Sequence, residues 1–355
     1  MNITKFLLIT AGASLFAAAI FSACEINKES KACPSTPEQI ECTGDIIISD
    51  HFVSGGEYKR GDEVAFKLTI LNDTLESGTF WAGCSIRDPL GHYYDLPSIA
   101  VTLDSKQSTD ISFNWQIPLE EDKADLSSGP YTKVMALWSD KPGEIGAEKL
   151  DSVETNAAFE VIRHHEDFTV FSEELWRRSS HQLGRSNLEP GNVTINNEQL
   201  EITLPAGTLD GGQIESREYD HLYGSYQVRM KLPEAPSSIT GFFLYRQPDY
   251  YHEIDIEIVN DCSGTIWFTT YADGSVSSHH EKILDFNPIE EFHEYRFDYY
   301  PGEVSFYVDG ELLKTFKEGL TDQPMKLMIN SWFPDWLDGI KPQQDAVTRI
   351  DWIKY

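Results

Sequence analysis

Cationic residues are scarce in this chain, which has 28 Lys and Arg against 58 Asp and Glu over 355 residues. The formal net charge is therefore −30 with histidine counted as neutral. A surface this acidic does not attract nucleic acid, an anionic membrane surface or a polyanionic polysaccharide by long-range electrostatics. The composition argues against nucleic acid as a partner and favours a neutral ligand.

Cysteine is also scarce, with five residues, and the first of them follows an apolar N-terminal stretch. The stretch from Phe6 to Phe21 is shorter than a membrane-spanning helix and is typical of a secretory signal. The small residues immediately before Cys24 resemble a bacterial lipoprotein box, which implies cleavage before Cys24 and a lipid on its thiol. We therefore expect residues 1–23 to be a lipoprotein-type signal and the protein to be exported to the bacterial cell envelope, held by the lipid alone. A conventional cleavage signal is the alternative.

Four cysteines remain, namely Cys33, Cys42, Cys84 and Cys262. An even count in an exported chain permits two disulfides in any of three connectivities. Cys33 and Cys42 are close in sequence and are the pair we favour. Cys84 and Cys262 fall in different predicted domains, so either can be a free buried thiol.

Long helical periodicity is missing, and so are phosphate-binding and dinucleotide-binding motifs. Short alternating runs separated by turn residues predict an all-β protein, and the length favours two domains. Residues 24–43 are rich in Glu, Lys, Ser and Pro and are predicted to form a tether. Residues 44–162 are predicted to form an immunoglobulin-like β-sandwich, and residues 163–355 a second sandwich that carries the chemistry.

Five aromatic residues of the first sandwich are candidates for binding sugar. They are Trp81, Tyr93, Tyr94, Trp115 and Trp138. Aromatic side chains in a sandwich more often fill the core, so we favour a spacer role for this domain. His164 and His165 at the junction lack a third ligand at usable spacing and do not predict a metal site.

The run from His252 to Ile258 places three carboxylates at alternate positions of a predicted strand. Glu253, Asp255 and Glu257 share one face, and three isoleucines share the other. A solvated sheet face is one interpretation of such a row. Aromatic residues flank it on both sides, however, and crowded carboxylates in a partly desolvated cleft keep one group protonated and another ionised. A retaining glycosidase needs that combination.

The sequence Glu-Ile-Asp-Ile-Glu, from Glu253 to Glu257, resembles the active-site strand of glycoside hydrolase family 16. The form without an inserted bulge residue is typical of lichenases, the bacterial β-1,3-1,4-glucanases. The match continues in ordered blocks over most of the segment from about Glu166 to Tyr355, among them Phe242–Tyr245 and Met328–Trp332. The second sandwich is thus expected to be a concanavalin-like jelly roll of two curved antiparallel sheets with one concave cleft.

The resemblance implies a role for each acid: Glu253 is the nucleophile, Asp255 tunes its charge, and Glu257 is the general acid/base. It also implies a set of sugar-binding residues. They are Glu215, Arg217, Tyr245, Tyr251, Tyr271, Asn330 and Trp332. Two alternatives stay open, a cross-strand ion pair between Glu215 and Arg217, and a plain core role for Trp332 and Tyr271.

Some relatives bind calcium through the position that Asp351 occupies, so a structural calcium is an option, and no other cofactor is required. One carboxylate is thin support for a metal that takes six to eight oxygens. The chain departs from the family pattern at Tyr251, where the family has Trp, and at Thr269-Thr270, where it has Asn-Tyr. These departures bear on fine specificity and not on the reaction type.

The sequence therefore predicts a monomeric, lipid-anchored endo-β-glucanase that hydrolyses β-1,3-1,4-glucan, or a related β-glucan, with retention of configuration. A transglycosylase, in which a sugar hydroxyl replaces water, is the second hypothesis. The third is a non-catalytic glycan-binding lipoprotein, which would tolerate the loss of one acid.

Overall fold

The computed structural model describes residues 44–119 and 126–355. The expected signal segment, the lipid site at Cys24, the tether and the Cys33–Cys42 pair lie outside these residues. The described residues form strands throughout, apart from loops and one 3₁₀ turn at Pro190–Asn192. Across these two ranges, no helix has the length and apolar character needed to span a membrane. The all-β prediction is confirmed.

Within the described residues, nine strands form the N-terminal sandwich. They are β1 (Ile46–Val53), β2 (Glu57–Lys59), β3 (Glu63–Asn72), β4 (Gly78–Arg87), β5 (Tyr93–Asp95), β6 (Ile99–Leu103), β7 (Ser108–Gln116), β8 (Gly129–Trp138) and β9 (Lys149–Ile162). One sheet has the order β1-β3-β7, and the other has the order β2-β9-β8-β4-β5 with β6 also paired to β4. The two sheets enclose an apolar core that includes Phe66, Trp115 and Tyr131. The immunoglobulin-like assignment and the domain bounds remain predictions.

Seventeen strands form the C-terminal sandwich. They are β10 (His165–Glu166), β11 (Trp176–Arg178), β12 (His181–Leu183), β13 (Ser186–Leu188), β14 (Val193–Asn196), β15 (Gln199–Leu204), β16 (Gly212–Ser216), β17 (Gly224–Lys231), β18 (Ile239–Arg246), β19 (His252–Val259), β20 (Thr265–Ala272), β21 (Ser275–Ile283), β22 (His293–Tyr300), β23 (Glu303–Val308), β24 (Glu311–Phe316), β25 (Lys326–Trp332) and β26 (Ala346–Lys354). One sheet runs β14-β15-β26-β17-β22-β23-β24 with β10 added at β26. The other runs β11-β16-β25-β18-β19-β20-β21, and β12 pairs with β13 in a separate two-stranded sheet.

The acid strand β19 lies inside the seven-stranded sheet, hydrogen-bonded to β18 on one side and to β20 on the other. Ile254, Ile256 and Ile258 are fully buried in the core between the two large sheets. Because side chains alternate along a strand, the three acids must project from the opposite face of the same sheet. The apolar half of the strand thereby fixes where the acidic half points.

The two sandwiches contact each other through polar groups. The hydroxyl of Tyr300 donates to the carbonyl of Ser128 at 3.0 Å, and the amide of Gln227 donates to the carboxylate of Glu160 at 2.5 Å. Gly129 has φ +125°, and a Cβ there would overlap the Tyr300 hydroxyl. This close approach requires glycine at position 129.

The two cysteines that the structure describes are both free, Cys84 in a buried position and Cys262 in an exposed one. The expectation that either can be a free buried thiol therefore fits Cys84. Cys262 is a free thiol at the surface.

Candidate active site

Each acid of β19 has one directly opposed residue on each neighbouring strand. Glu253 lies opposite Tyr245 and Tyr271, Asp255 lies opposite Phe243 and Thr269, and Glu257 lies opposite Gly241 and Trp267. Directly opposed residues share a face of the sheet, with their Cβ atoms about 5 Å apart. The acid row therefore lies on a face that also carries aromatic side chains.

Asp255 is the most buried of the three acids, with 4% of its surface exposed. Its Oδ1 atom has no hydrogen-bond partner within the described residues. Burial, followed by the charges of Glu253 and Glu257, raises the pKa of Asp255 well above its usual value. Burial and the two neighbouring charges therefore favour the protonated form of Asp255, which can donate a hydrogen bond to Glu253.

The two flanking acids also titrate near neutral pH. Burial raises the pKa of Glu253 to about 8, and repulsion by Glu257 and Asp249 adds to the effect. Burial raises the pKa of Glu257 to about 7. A hydrogen bond from Asp255 acts in the opposite direction on Glu253, because it stabilises the carboxylate. The three groups titrate as a set, and protonated and ionised carboxyls coexist in it near pH 7.

Tyrosines surround the Glu253 end of the acid row. Tyr245 donates its hydroxyl to the carboxylate of Asp249, and the ring of Tyr271 lies 5.5 Å from that of Tyr250. Burial raises the pKa of both Tyr245 and Tyr271, so both stay neutral hydroxyl groups. Tyr251 is 42% exposed. An aromatic face with hydroxyl groups suits a sugar ring, which has apolar C–H faces and a polar rim.

Asn330 lies near the Glu257 end of the row, one strand beyond β18. It is directly opposite Gly241 on β18 and Gln213 on β16. Its amide nitrogen donates to the Gln213 side chain at 3.2 Å, while its buried Oδ1 has no partner in the described chain. A Cβ at Gly241 would lie 2.8 Å from that Oδ1. Glycine at 241 thus leaves room for an unpaired acceptor beside the acid row.

Tryptophans close this same end of the face. Trp332 is 7% exposed and packs with Ile239, Val259 and Trp267. Its ring lies 5.4 Å from that of Trp336, which is 61% exposed. Trp332 is thus both a packed residue and the support of an exposed indole.

Glu215 and Arg217 have partners other than each other. Glu215 is buried and forms ion pairs with Lys326, at 3.0 Å, and with Arg177. Arg217 donates to the carbonyl of Glu173 and lies 3.8 Å from its carboxylate. The alternative of a Glu215–Arg217 ion pair is therefore wrong. The Glu215 carboxylate already has two cationic partners before any sugar binds.

Four residues of this face were not among the predicted site residues. They are Gln213, Trp267, Lys326 and Trp336. Gln213 and Lys326 belong to strands whose alternation could have identified them, because they share the face of Glu215 and Asn330. Trp336 lies in a loop, where no periodicity marks it.

Thr269, a position of departure from the family pattern, lies directly opposite Asp255. Its hydroxyl is 3.0 Å from Nδ1 of His279 on β21. The Thr269–His279 pair thus extends the polar side chains from Asp255 on β19 across β20 to β21. The departure thus falls beside the catalytic candidates.

The residues around Asp351 do not fit a calcium site. Asp351 forms an ion pair with Arg229 at 2.5 Å. Residues 44–119 and 126–355 contain no group of three His, Cys, Asp or Glu side chains that could hold a metal ion. A cation on Asp351 would have to displace the guanidinium and take most of its ligands from other oxygens.

Known proteins of one family resemble the C-terminal part of this chain. The model of glycosyl hydrolases family 16 matches residues 184–354. A beta-glucanase of Paenibacillus macerans is 34% identical over 210 residues, which cover 54% of this chain and 86% of that protein. A beta-glucanase of Paenibacillus polymyxa is 30% identical over 207 residues, covering 54% and 86% of the two chains. The structure of a Bacillus licheniformis beta-glucanase superimposes with a TM-score of 0.51 at 24% identity, covering 54% of this chain and 96% of that one. The last likeness concerns the fold alone.

Proposed function

We propose that this chain, which belongs to glycosyl hydrolases family 16 and is a glycoside hydrolase, is an endo-β-glucanase that hydrolyses β-1,3-1,4-glucan with retention. The observation that carries the proposal is the row Glu253, Asp255 and Glu257 on one face of β19, with all three pKa values raised. Aromatic side chains lie at both ends of the row, as a chain of sugar rings would require. The beta-glucanases that resemble this chain support the substrate class.

The proposed reaction has two steps. In the first, Glu253 attacks the anomeric carbon while Glu257 gives its proton to the departing glycosidic oxygen. This step forms an ester between Glu253 and the sugar and releases the leaving chain end. In the second, Glu257 takes a proton from water as the water attacks the same carbon, and Glu253 is freed as a carboxylate.

Asp255 serves this reaction through Glu253. A protonated Asp255 donates a hydrogen bond to the Glu253 carboxylate and so supports its ionised form. Because its own pKa is raised well above the usual value, Asp255 keeps its proton while Glu257 gives up and regains the proton of the reaction. The assignment of nucleophile and acid to Glu253 and Glu257, in this order, rests on the resemblance to the family, because the pKa values of about 8 for Glu253 and about 7 for Glu257 would by themselves favour the opposite order.

Chemical rescue tests that order. We expect Glu257→Ala to cleave an aryl β-glucan oligosaccharide with a good leaving group and, with added azide, to release a β-glycosyl azide from the covalent intermediate. Glu253→Ala with azide should give the α-glycosyl azide, because the anion then takes the place of the missing nucleophile. The reverse pairing of products would exchange the two roles. No rescue in either variant, with both variants folded, would exclude the double displacement.

Product analysis tests the substrate. We expect the chain to release oligosaccharides from barley β-glucan and not from laminarin or xyloglucan. Cleavage of laminarin or xyloglucan alone would refute the linkage assignment. With an oligosaccharide as the starting substrate, products longer than that oligosaccharide would identify a transglycosylase.

We also propose, from the sequence alone, that the protein is exported and carries lipid on Cys24. Labelled palmitate should be incorporated by the natural chain and not by a Cys24→Ser variant. Equal labelling of both would refute the lipid site.

A further inference from the structure

We infer that the outer face of the six-stranded sheet in the N-terminal sandwich is a second binding site for a neutral β-glucan chain. We call it the indole face and define it by Trp81, Gly83 and Ser85 on β4 and Ala136 and Trp138 on β8. The identity of the ligand rests on the proposed function, since it is the polymer that the cleft is proposed to cut. The site itself rests on the geometry of this sheet.

The structure separates four of the five aromatic candidates of this sandwich into two groups, and the fifth, Tyr93, is exposed opposite Arg87. Trp115 is buried in the core, and the ring of Tyr94 packs 5.4 Å from it. Trp81 and Trp138 lie on the other side of their strands, because their neighbours Ala82 and Leu137 are fully buried. Both tryptophans are partly exposed. Packing in the core therefore does not explain why tryptophan occurs at these two positions.

The two indoles lie on the same face of the sheet, with small residues beside them. Trp81 lies directly opposite Trp138, and Gly83 lies directly opposite Ala136 in the next row on this face. A Cβ at Gly83 would lie 3.8 Å from Nε1 of Trp138, so this indole extends along the sheet over the glycine. Neither indole N–H has an acceptor within the part of the chain that the structure describes. Flat rings with free donors match the C–H face and the hydroxyl rim of a pyranose.

Polar groups continue the same face along β4. Ser85 donates to Asp95 at 2.6 Å, and Arg87 donates to Tyr93 at 3.0 Å and to Glu154 at 2.6 Å. From Trp81 to Arg87 the strand spans about 20 Å, at roughly 3.3 Å per residue. The face is thus long enough for several sugar units.

The net charge of the whole chain favours a neutral polymer, and Lys141 and Lys149 lie beside the indoles. Arg87 is neutralised by Glu154, and Lys141 is 6.0 Å from the ring of Trp81 on a chain whose net charge is −30. A polyanion would be repelled by the chain as a whole, whereas the hydroxyl groups of a glucan can both donate to Asp95 and accept from the indoles. Because the two sandwiches contact each other, a polymer bound to the indole face would be held near the cleft. The local concentration of polymer at the cleft would then rise.

Binding is tested on the full chain with Glu253→Gln added, so that the polymer is not cut. Migration is measured in native gels that contain increasing barley β-glucan. We compare this parent with two variants. One combines Trp81→Ala with Trp138→Ala, and the other is Gly83→Gln, which keeps both indoles but places a long side chain beside them. The matched control is Phe52→Ala, because Phe52 is 57% exposed on β1 in the other sheet of the same sandwich. Melting temperatures establish that each variant is folded.

We expect about tenfold weaker retardation in both indole-face variants, as for a central aromatic contact, and none of this loss in the control. Retardation equal to that of the parent in both variants would overturn the inference. Indole-dependent retardation by dextran sulfate would also overturn it, because dextran sulfate is a polyanion. A third refuting result is that the indole variants change the oligomeric state and not the retardation, since the face would then bind a second copy of the chain.

The two proposals fail in different ways. If the chain with native Glu253 cuts barley glucan but retardation does not depend on the indoles, only the second site is refuted. If retardation depends on the indoles but no glucan is cut, the proposed function is refuted and the binding face remains.

Discussion

Replacing Glu253 with glutamine should abolish turnover and at the same time stabilise the fold. Glu253 is partly buried beside Glu257 and Asp249, and its pKa is raised from 4.5 to about 8. Glutamine has nearly the same shape and no charge. Sites that hold destabilised charges for catalysis commonly become more stable when the charge is removed.

The sign and size of the effect follow from proton linkage. Between pH 4.5 and about 8 the folded chain keeps a proton on Glu253 that the unfolded chain releases, so the free energy of unfolding falls as pH rises through this window. At about 1.4 kcal/mol per pH unit, the full shift corresponds to an upper value of about 5 kcal/mol at pH 8. Because the buried amide also has a desolvation cost, we expect about 2 kcal/mol, or roughly 4–8 °C in melting temperature.

Calorimetry at pH 5 and pH 8 measures this effect. At pH 5 the folded chain carries neutral Glu253, so the gain from removing the charge is lost and Glu253→Gln should melt no higher than the natural chain. The matched control is Glu311→Gln, at an exposed position of β24 in the other large sheet. Its melting temperature should differ from that of the natural chain by the same amount at pH 5 and at pH 8. A Glu253→Gln variant that melts at or below the natural chain at pH 8, or a difference that stays constant between the two pH values, would refute the reasoning.

Three further predictions concern close contacts and the metal. Gly241→Ala should lower kcat/KM on barley glucan by about tenfold by displacing Oδ1 of Asn330, which would be 2.8 Å from the new Cβ; unchanged kinetics in a folded variant would contradict this. Gly129→Ala should lower the melting temperature by several degrees, because its Cβ overlaps the Tyr300 hydroxyl at positive φ, and adding Tyr300→Phe should restore part of the loss; no loss would contradict the close approach. Treatment with a calcium chelator should leave the melting temperature unchanged, because Asp351 is paired with arginine; a chelator-dependent decrease would show that a metal stabilises the chain.

The alternation of β19 made the acid row predictable, whereas the partners of Glu215 were not. Glu253 to Ile258 alternate within one strand, so the sequence alone separates the acids from the isoleucines. Glu215 is neutralised by Lys326, 111 positions further along the chain. Only the pairing of β16 with β25 brings the two together, and no local pattern encodes that pairing. The same limit applies to Trp81 and Trp138, whose shared face depends on the pairing of β4 with β8.

The position of the acid row is also protected by the energetics of its own strand. A slip of β19 by one residue would move Ile254, Ile256 and Ile258 from the core to the outer face and bury three acids in their place. Exposing three isoleucines costs about 2 kcal/mol each, and burying carboxyl groups without partners costs several more. These costs are of the order of the whole stability of a domain, about 5–15 kcal/mol. The buried isoleucines therefore fix the register that places the three destabilising acids together on the opposite face of the strand.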